Sequence, residues 1–300
     1  MLFTIEKKRN MSKLRIFCLV LILLLAFHIH LASAQKLRPR PPLYGIPAKT
    51  LPRGHWVFRG YAVFPHFTRM LNSKTGKMTS LPGGTEFTAD SYILKVRYGI
   101  LNRFTAIVNL PYIHKRFKSL KIEKSGEGIG DVIGALLYKF YFNKTHRFLF
   151  SGLLFTKSPT GKADDGHLAL TKMPLGTGSF DAGFALMPEW GTGKWDLRWS
   201  AFYIARGKNK QHMDLGDVVS LSWSTAYNLN RRFIAESTFL YKSIARDRVN
   251  PSYHLFQFIP ALQYRLRRTF LVQWVVPVTV DARVKFSADY ETWLGLYFLL

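Results

Sequence analysis

The chain has 300 residues, of which 48% are hydrophobic and 15% aromatic, with 43 Lys and Arg against 18 Asp and Glu for a formal net charge of +25. One cysteine excludes a disulfide framework. After residue 27 no stretch approaches the ~20 consecutive apolar residues that a membrane helix needs.

The first predicted element is a secretory signal peptide over residues 1–34. Met11-Ser12-Lys13-Leu14-Arg15 is basic, 16–27 is an apolar run too short to span a bilayer, and Ala32-Ser33-Ala34 is a small-residue cleavage site. Gln35 is then expected to open the mature chain. Cys18 lies in the apolar run, so the exported chain has no thiol, cannot ligate zinc through cysteine and has no lipoprotein anchor. Residues 35–55 carry Pro39, Pro41, Pro42, Pro47 and Pro52, which predicts an extended proline-rich arm or a plug in a lumen.

From residue 56 onward the hydrophobicity is dispersed in short alternating segments. Strands are predicted at 56–65, 87–98, 103–113, 129–141, 147–157, 178–190, 195–206, 215–227, 232–244, 253–266, 269–280 and 284–299. Successive side chains of a strand point to opposite faces. Leu94, Val96 and Tyr98 therefore oppose Lys95 and Arg97, Trp195, Leu197 and Trp199 oppose Asp196 and Arg198, and Phe233, Ala235 and Phe239 oppose Glu236 and Thr238. In the last segment Ala282, Val284, Phe286, Ala288 and Tyr290 oppose Asp281, Arg283, Lys285, Ser287 and Asp289. A soluble barrel would need a second layer to cover an aromatic row on nearly every strand, whereas lipid accepts all of them.

The links support the membrane reading. Residues 66–86, 114–128 and 158–177 are long, and 99–102, 142–146 and 191–194 are short, the asymmetry of short periplasmic turns and longer outer loops. The expected architecture is all-β: a transmembrane antiparallel β-barrel of about twelve strands over 56–300, with up-and-down topology, in the bacterial outer membrane. An even strand count brings both ends to the periplasmic side. Pro65, Pro159, Pro174 and Pro251 are assigned to outer loops, while Pro111, Pro188, Pro260 and Pro277 fall in or near strands and are expected to mark bulges or rim positions.

In the middle of the chain, Gly126-Glu-Gly-Ile-Gly-Asp131 is followed by Lys157-Ser-Pro-Thr-Gly161 and then Leu175-Gly-Thr-Gly-Ser-Phe-Asp181. These three motifs, in this order, resemble the outer-membrane transporter family of the MetA pathway of phenol degradation. The resemblance implies a barrel related to channels for hydrophobic compounds. The chain departs from many outer-membrane proteins in being strongly basic and in ending on Leu300 instead of an aromatic residue.

Residues on the polar phase are expected to line the pore: Arg59, Lys95, Arg97, Asp131, Asp181, Arg198, Glu236, Lys242, Arg265, Arg283, Lys285 and Asp289. A basic lumen concentrates anions, so a passive pore favouring anionic small molecules is expected. The alternatives are a channel for aromatic or fatty compounds, which needs an apolar path, and a structural or adhesive barrel that transports nothing. For Asp131 and Asp181 a structural role in fixing where the loops depart is favoured over contact with solute. Loop cations such as Lys115, Arg116 and Lys118 can pair with lipopolysaccharide phosphates. Besides lipid, lipopolysaccharide and a small solute, the barrel-assembly machinery is an expected partner. Nucleic acid, the reflex partner of so basic a chain, is not. The histidines show no spacing that suits catalysis, Asp164-Asp165-Gly166 reads as a solvated turn, and Gly191-Thr192-Gly193-Lys194 reads as a hairpin turn. No enzyme activity and no cofactor are expected.

Overall fold

The computed structural model describes residues 47–72, 77–120, 122–163, 172–209, 216–246, 252–267, 269–284 and 286–299. The predicted signal peptide, most of the proline-rich arm, the Asp164-Asp165-Gly166 turn, Pro251 and Lys285 lie outside the described residues. The described chain forms one antiparallel sheet of fifteen strand segments: β1 (Trp56–Leu71), β2 (Met78–Ser80), β3 (Glu86–Leu101), β4 (Phe104–Lys118), β5 (Glu123–Ile129), β6 (Val132–Asn143), β7 (Phe148–Ser158), β8 (Asp181–Thr192), β9 (Trp195–Arg206), β10 (Val218–Asn228), β11 (Phe233–Ile244), β12 (Tyr253–Arg267), β13 (Phe270–Val275), β14 (Val278–Arg283) and β15 (Phe286–Leu299). β5 and β6 both pair with β4 and form one interrupted stave, as do β13 and β14 against β12, and β2 is a short flap on β1. Pairing of β1 with β15, from Val57 opposite Leu299 to Met70 opposite Phe286, closes a barrel of twelve staves. Closure gives each of the twelve staves a paired neighbour on both sides through the wall, the condition for strands to cross hydrocarbon.

Side-chain orientation decides which solvent each face meets. Large apolar residues point outward and are exposed, among them Tyr92, Leu94, Leu110, Leu154, Trp274, Leu294 and Leu296, while Arg59, Arg97, Glu189, Asp196, Glu236, Gln263 and Gln273 are buried on the inner face. A water-soluble protein does the reverse. At the short-turn end the outer face carries a ring of directly opposed aromatic pairs: Trp56–Tyr98, Phe104–Tyr138, Phe148–Trp190, Trp195–Tyr227, Phe233–Tyr264 and Phe270–Phe298. Centroids of the Trp56, Phe104 and Trp195 pairs lie 4.4, 4.6 and 4.5 Å apart. Each such pair adds roughly 0.2–1 kcal/mol to strand pairing. Together they form the aromatic girdle that marks the membrane–water boundary.

The outer ends of three staves rise higher than the sequence pattern suggests. β1, β3 and β4 run to 71, back to 86 and on to 118, so Pro65 lies within β1 and not in a loop. Its missing amide costs little there, because pairing of β1 with β3 has already ended at Val63 opposite Ser91. The other strand prolines likewise coincide with interruptions of the ladder. Pro111 faces the break between β5 and β6, the β8–β9 pairing skips Met187 and Pro188, and Pro260 faces the break between β13 and β14 that contains Pro277. These interruptions sit within the wall, between its two rims.

Candidate functional site

The described part of the arm, residues 47–55, enters the barrel from the short-turn end. Thr50 donates its hydroxyl to the Asn102 carbonyl at 2.9 Å, the Leu51 amide donates to Thr105 Oγ1 at 2.7 Å, and Arg97 Nη2 donates to the Lys49 carbonyl at 2.6 Å. Ala48 packs on an inward apolar patch of Ile107, Leu137, Leu149, Leu153, Ala185 and Met187. Leu51 packs with Val57, Leu271 and Tyr297 on another wall. The chain then turns over Gly99, whose amide donates to the His55 carbonyl at 3.0 Å and whose own carbonyl accepts from Gly54 at 2.8 Å. A side chain on Gly99 would strike the Pro52 carbonyl, so only glycine lets the arm lie this close.

Above this floor lies a cavity of about 420 Å³. Its wall is mostly apolar, with Tyr61, Ile93, Ile133, Met187, Phe202, Leu240 and Trp293, and it carries Lys95, Arg198, Lys242 and a row of serines from β9 and β10. Ser200 bonds Ser222 at 2.6 Å and Ser224 bonds Thr238 at 2.7 Å, so these hydroxyls largely satisfy one another. The ionic groups are segregated by wall. On β1 and β3, Arg59 faces Lys95 across the strand pair, with Arg97 two residues further on. Arg59 donates to Gln273 Oε1 at 2.6 Å and lies over the Tyr61 ring at 4.7 Å. On β8 to β11, Arg198 gathers three carboxylates: Glu236 at 2.8 Å, Glu189 at 3.6 Å and Asp196 at 3.8 Å. The small residues Ser224 and Ala226 on the intervening β10 let Arg198 reach across to β11.

The roof is built from the three sequence motifs. Asp131, in the break between β5 and β6, accepts the Gly161 amide at 3.1 Å and the Thr177 amide at 2.8 Å. Lys157 bridges Asp181 at 2.8 Å and Asp131 at 3.3 Å, and Ser179 donates to Asp181 at 2.7 Å. Gly176 passes so near the Asp131 carboxylate that a side chain would collide with it. Motifs scattered over about fifty residues thus converge into one latch that draws the segments around 159–163 and 172–180 onto the outer rim.

The residues singled out by sequence fall into distinct places. Arg59, Lys95, Arg97, Arg198, Glu236 and Lys242 sit on the inner face, Asp131 and Asp181 are in the latch, and Arg265 lies at the short-turn end beside Gln263. Asp289 pairs with Arg69 at 3.0 Å at the outer rim. Arg283 departs from the expectation. β14 has a bulge at Val280 that places Asp281 opposite Phe256 and Arg283 opposite His254, on the outer face, and turns Ala282 inward opposite Leu255. A bulge shifts every later side chain to the other face, which strict alternation could not foresee. Glu189 and Asp196 were missed as site residues. Asp196 was visible on the polar phase of its strand, whereas Glu189 follows Pro188, where the alternation is interrupted.

The fold matches that of an outer membrane channel from Pseudomonas putida F1 with a TM-score of 0.70 and 12% identity, over 88% of this chain and 100% of that one. The KdgM porin aligns at a TM-score of 0.47 and 8% identity, over 81% of this chain and 98% of its own. The toluene transporter TbuX from Ralstonia pickettii aligns at 0.44 and 7% identity, over 83% and 90%. A sequence comparison with curated proteins finds no match. The profile of the family described as "Putative MetA-pathway of phenol degradation" matches residues 72–291.

Proposed function

The chain belongs to that family of outer-membrane barrels, and on this premise we propose that it is a passive channel for small apolar solutes, with the luminal chamber as its passage. The observation that carries the reading is the chamber itself: about 420 Å³ of mostly apolar wall inside a barrel whose inner face also carries Arg59, Arg97, Glu189, Asp196 and Glu236. Such a volume suits a solute the size of a substituted benzene. An aqueous ion pore needs a continuous hydrated path, and here the apolar wall and the packed arm oppose it.

In this reading the arm of residues 35–55 is a movable plug. Its described part, residues 47–55, rests on a few hydrogen bonds and the apolar contacts of Ala48 and Leu51, so it can leave or shift without unfolding the wall. Export through a signal peptide over 1–34, assembly by the barrel-assembly machinery and pairing of outer-rim cations with lipopolysaccharide belong to the same picture, although Lys115, Arg116 and Lys118 end strand β4 and do not stand in a loop, and the protein acts as a channel instead of an enzyme. Proteoliposomes test the reading. Purified protein should speed the entry of toluene or phenol into vesicles while giving little swelling with sugars of similar size. Equal rates with and without the protein would leave a structural barrel as the better account.

A further inference from the structure

Two lysines face the chamber without an acidic partner among the described residues. Lys95 on β3 is 9% exposed, and its nearest aromatic contact is the Tyr61 ring at 5.9 Å. Lys242 on β11 lines the same chamber from a stave nearly opposite. Neither ammonium has an ion-pair partner among the described residues. The chamber's other charges are compensated, Arg198 by three carboxylates and Asp131 by Lys157. On the Lys95 wall the neighbours Arg59 and Arg97 are also cationic, and no carboxylate stands among them.

We propose that the chamber takes an apolar molecule bearing a carboxylate, an aromatic or short alkyl acid, with its hydrocarbon against Ile93, Phe202, Leu240 and Trp293 and its carboxylate on Lys95 or Lys242. This rests on the channel reading above and narrows its substrate class. Burying an ammonium without a counter-ion is costly, and an entering carboxylate removes that cost while its hydrocarbon leaves water. The cluster of Glu189, Asp196 and Glu236 repels the same carboxylate, so its charged end is held at Lys95 on β3 or at Lys242, which lies nearer the outer rim than Glu236 on the same strand. A cationic amine meets the reverse field and is disfavoured.

Fluorescence titration of the detergent-solubilised barrel, with Trp293 as the reporter in the chamber, compares benzoate, benzyl alcohol and benzylamine. Benzoate is expected to bind about tenfold or more tightly than benzyl alcohol, as charge-assisted hydrogen bonds imply, and benzylamine the most weakly. Lys95→Met should reduce the benzoate preference, and Lys95→Met with Lys242→Met should abolish it while leaving benzyl alcohol binding in place. Heat-modifiable electrophoretic mobility reports whether each variant is folded, and Lys95→Gln with Lys242→Gln serves where the methionine forms are not. Benzyl alcohol and benzoate binding equally to the unmodified protein, or a preference that survives the double variant, overturns the carboxylate site and leaves the channel reading standing. Failure of all three compounds to bind overturns both.

Discussion

Arg97 on the second stave holds the carbonyl of Lys49 at 2.6 Å, so a cation of the barrel wall fastens the arm that fills the lower lumen. Arg97→Met removes that bond without disturbing the apolar seats of Ala48 and Leu51. Single-channel recording is expected to show more frequent opening. Deletion of residues 40–51 should raise conductance several-fold, because the floor is then absent. An unchanged conductance after deletion would mean that the arm is not what narrows the lumen.

The Lys157 bridge supports the roof. Lys157→Met leaves Asp131 and Asp181 facing each other without a cation in a mostly buried setting, a loss of about 3 kcal/mol by analogy with broken buried ion pairs. The unfolding midpoint in denaturant should fall, and limited proteolysis should cut within residues 159–180. Asp131→Asn keeps one of the two amide-accepting oxygens and removes the charge repulsion, so it should be milder on both measures.

Arg198 neutralises the acidic wall. Arg198→Met exposes Glu189, Asp196 and Glu236 to the lumen and should shift the reversal potential in a salt gradient toward cations. It should also destabilise the barrel by about 3–5 kcal/mol, since three buried carboxylates lose their common partner. Arg198→Lys should retain part of both properties.

Arg283 offers a test of side-chain direction. Because the bulge at Val280 turns it to the outer face beside His254, Arg283→Glu should leave the reversal potential where it is. Lys95→Glu, on the inner face, should move it. A response to the first change comparable to the second would contradict the register of β14.

The aromatic girdle is expected to act on stability and not on solute passage. Trp195→Ala removes the partner of Tyr227, whose ring centroid is 4.5 Å away, and should cost about 1 kcal/mol. Equilibrium unfolding in lipid vesicles measures it, and solute entry should stay unchanged.

Much of the architecture was legible because lipid on one side and water on the other force a period of two on every strand. Strand β9 was expected over 195–206 and spans Trp195–Arg206. The expected stave over 129–141 is two segments, Glu123–Ile129 and Val132–Asn143, because Asp131 leaves the ladder to bind the loop. No local pattern reveals that departure, since its partners Gly161 and Thr177 are thirty and forty-six residues away. The predicted face of Arg283 failed for a related reason. One extra residue in a bulge reverses the phase, and Val280 looks like any other strand valine.

Alternation along the chain determined that this protein is a closed barrel with its apolar rows turned to hydrocarbon, because each strand must satisfy two solvents at once and its own neighbours suffice to say so. Which charges neutralise one another, where the arm seats and which two lysines are left facing an apolar chamber were decided only by the tertiary structure. Those relations depend on stagger between staves and on the small residues that let Arg198 reach across a strand, and both arise when the sheet closes.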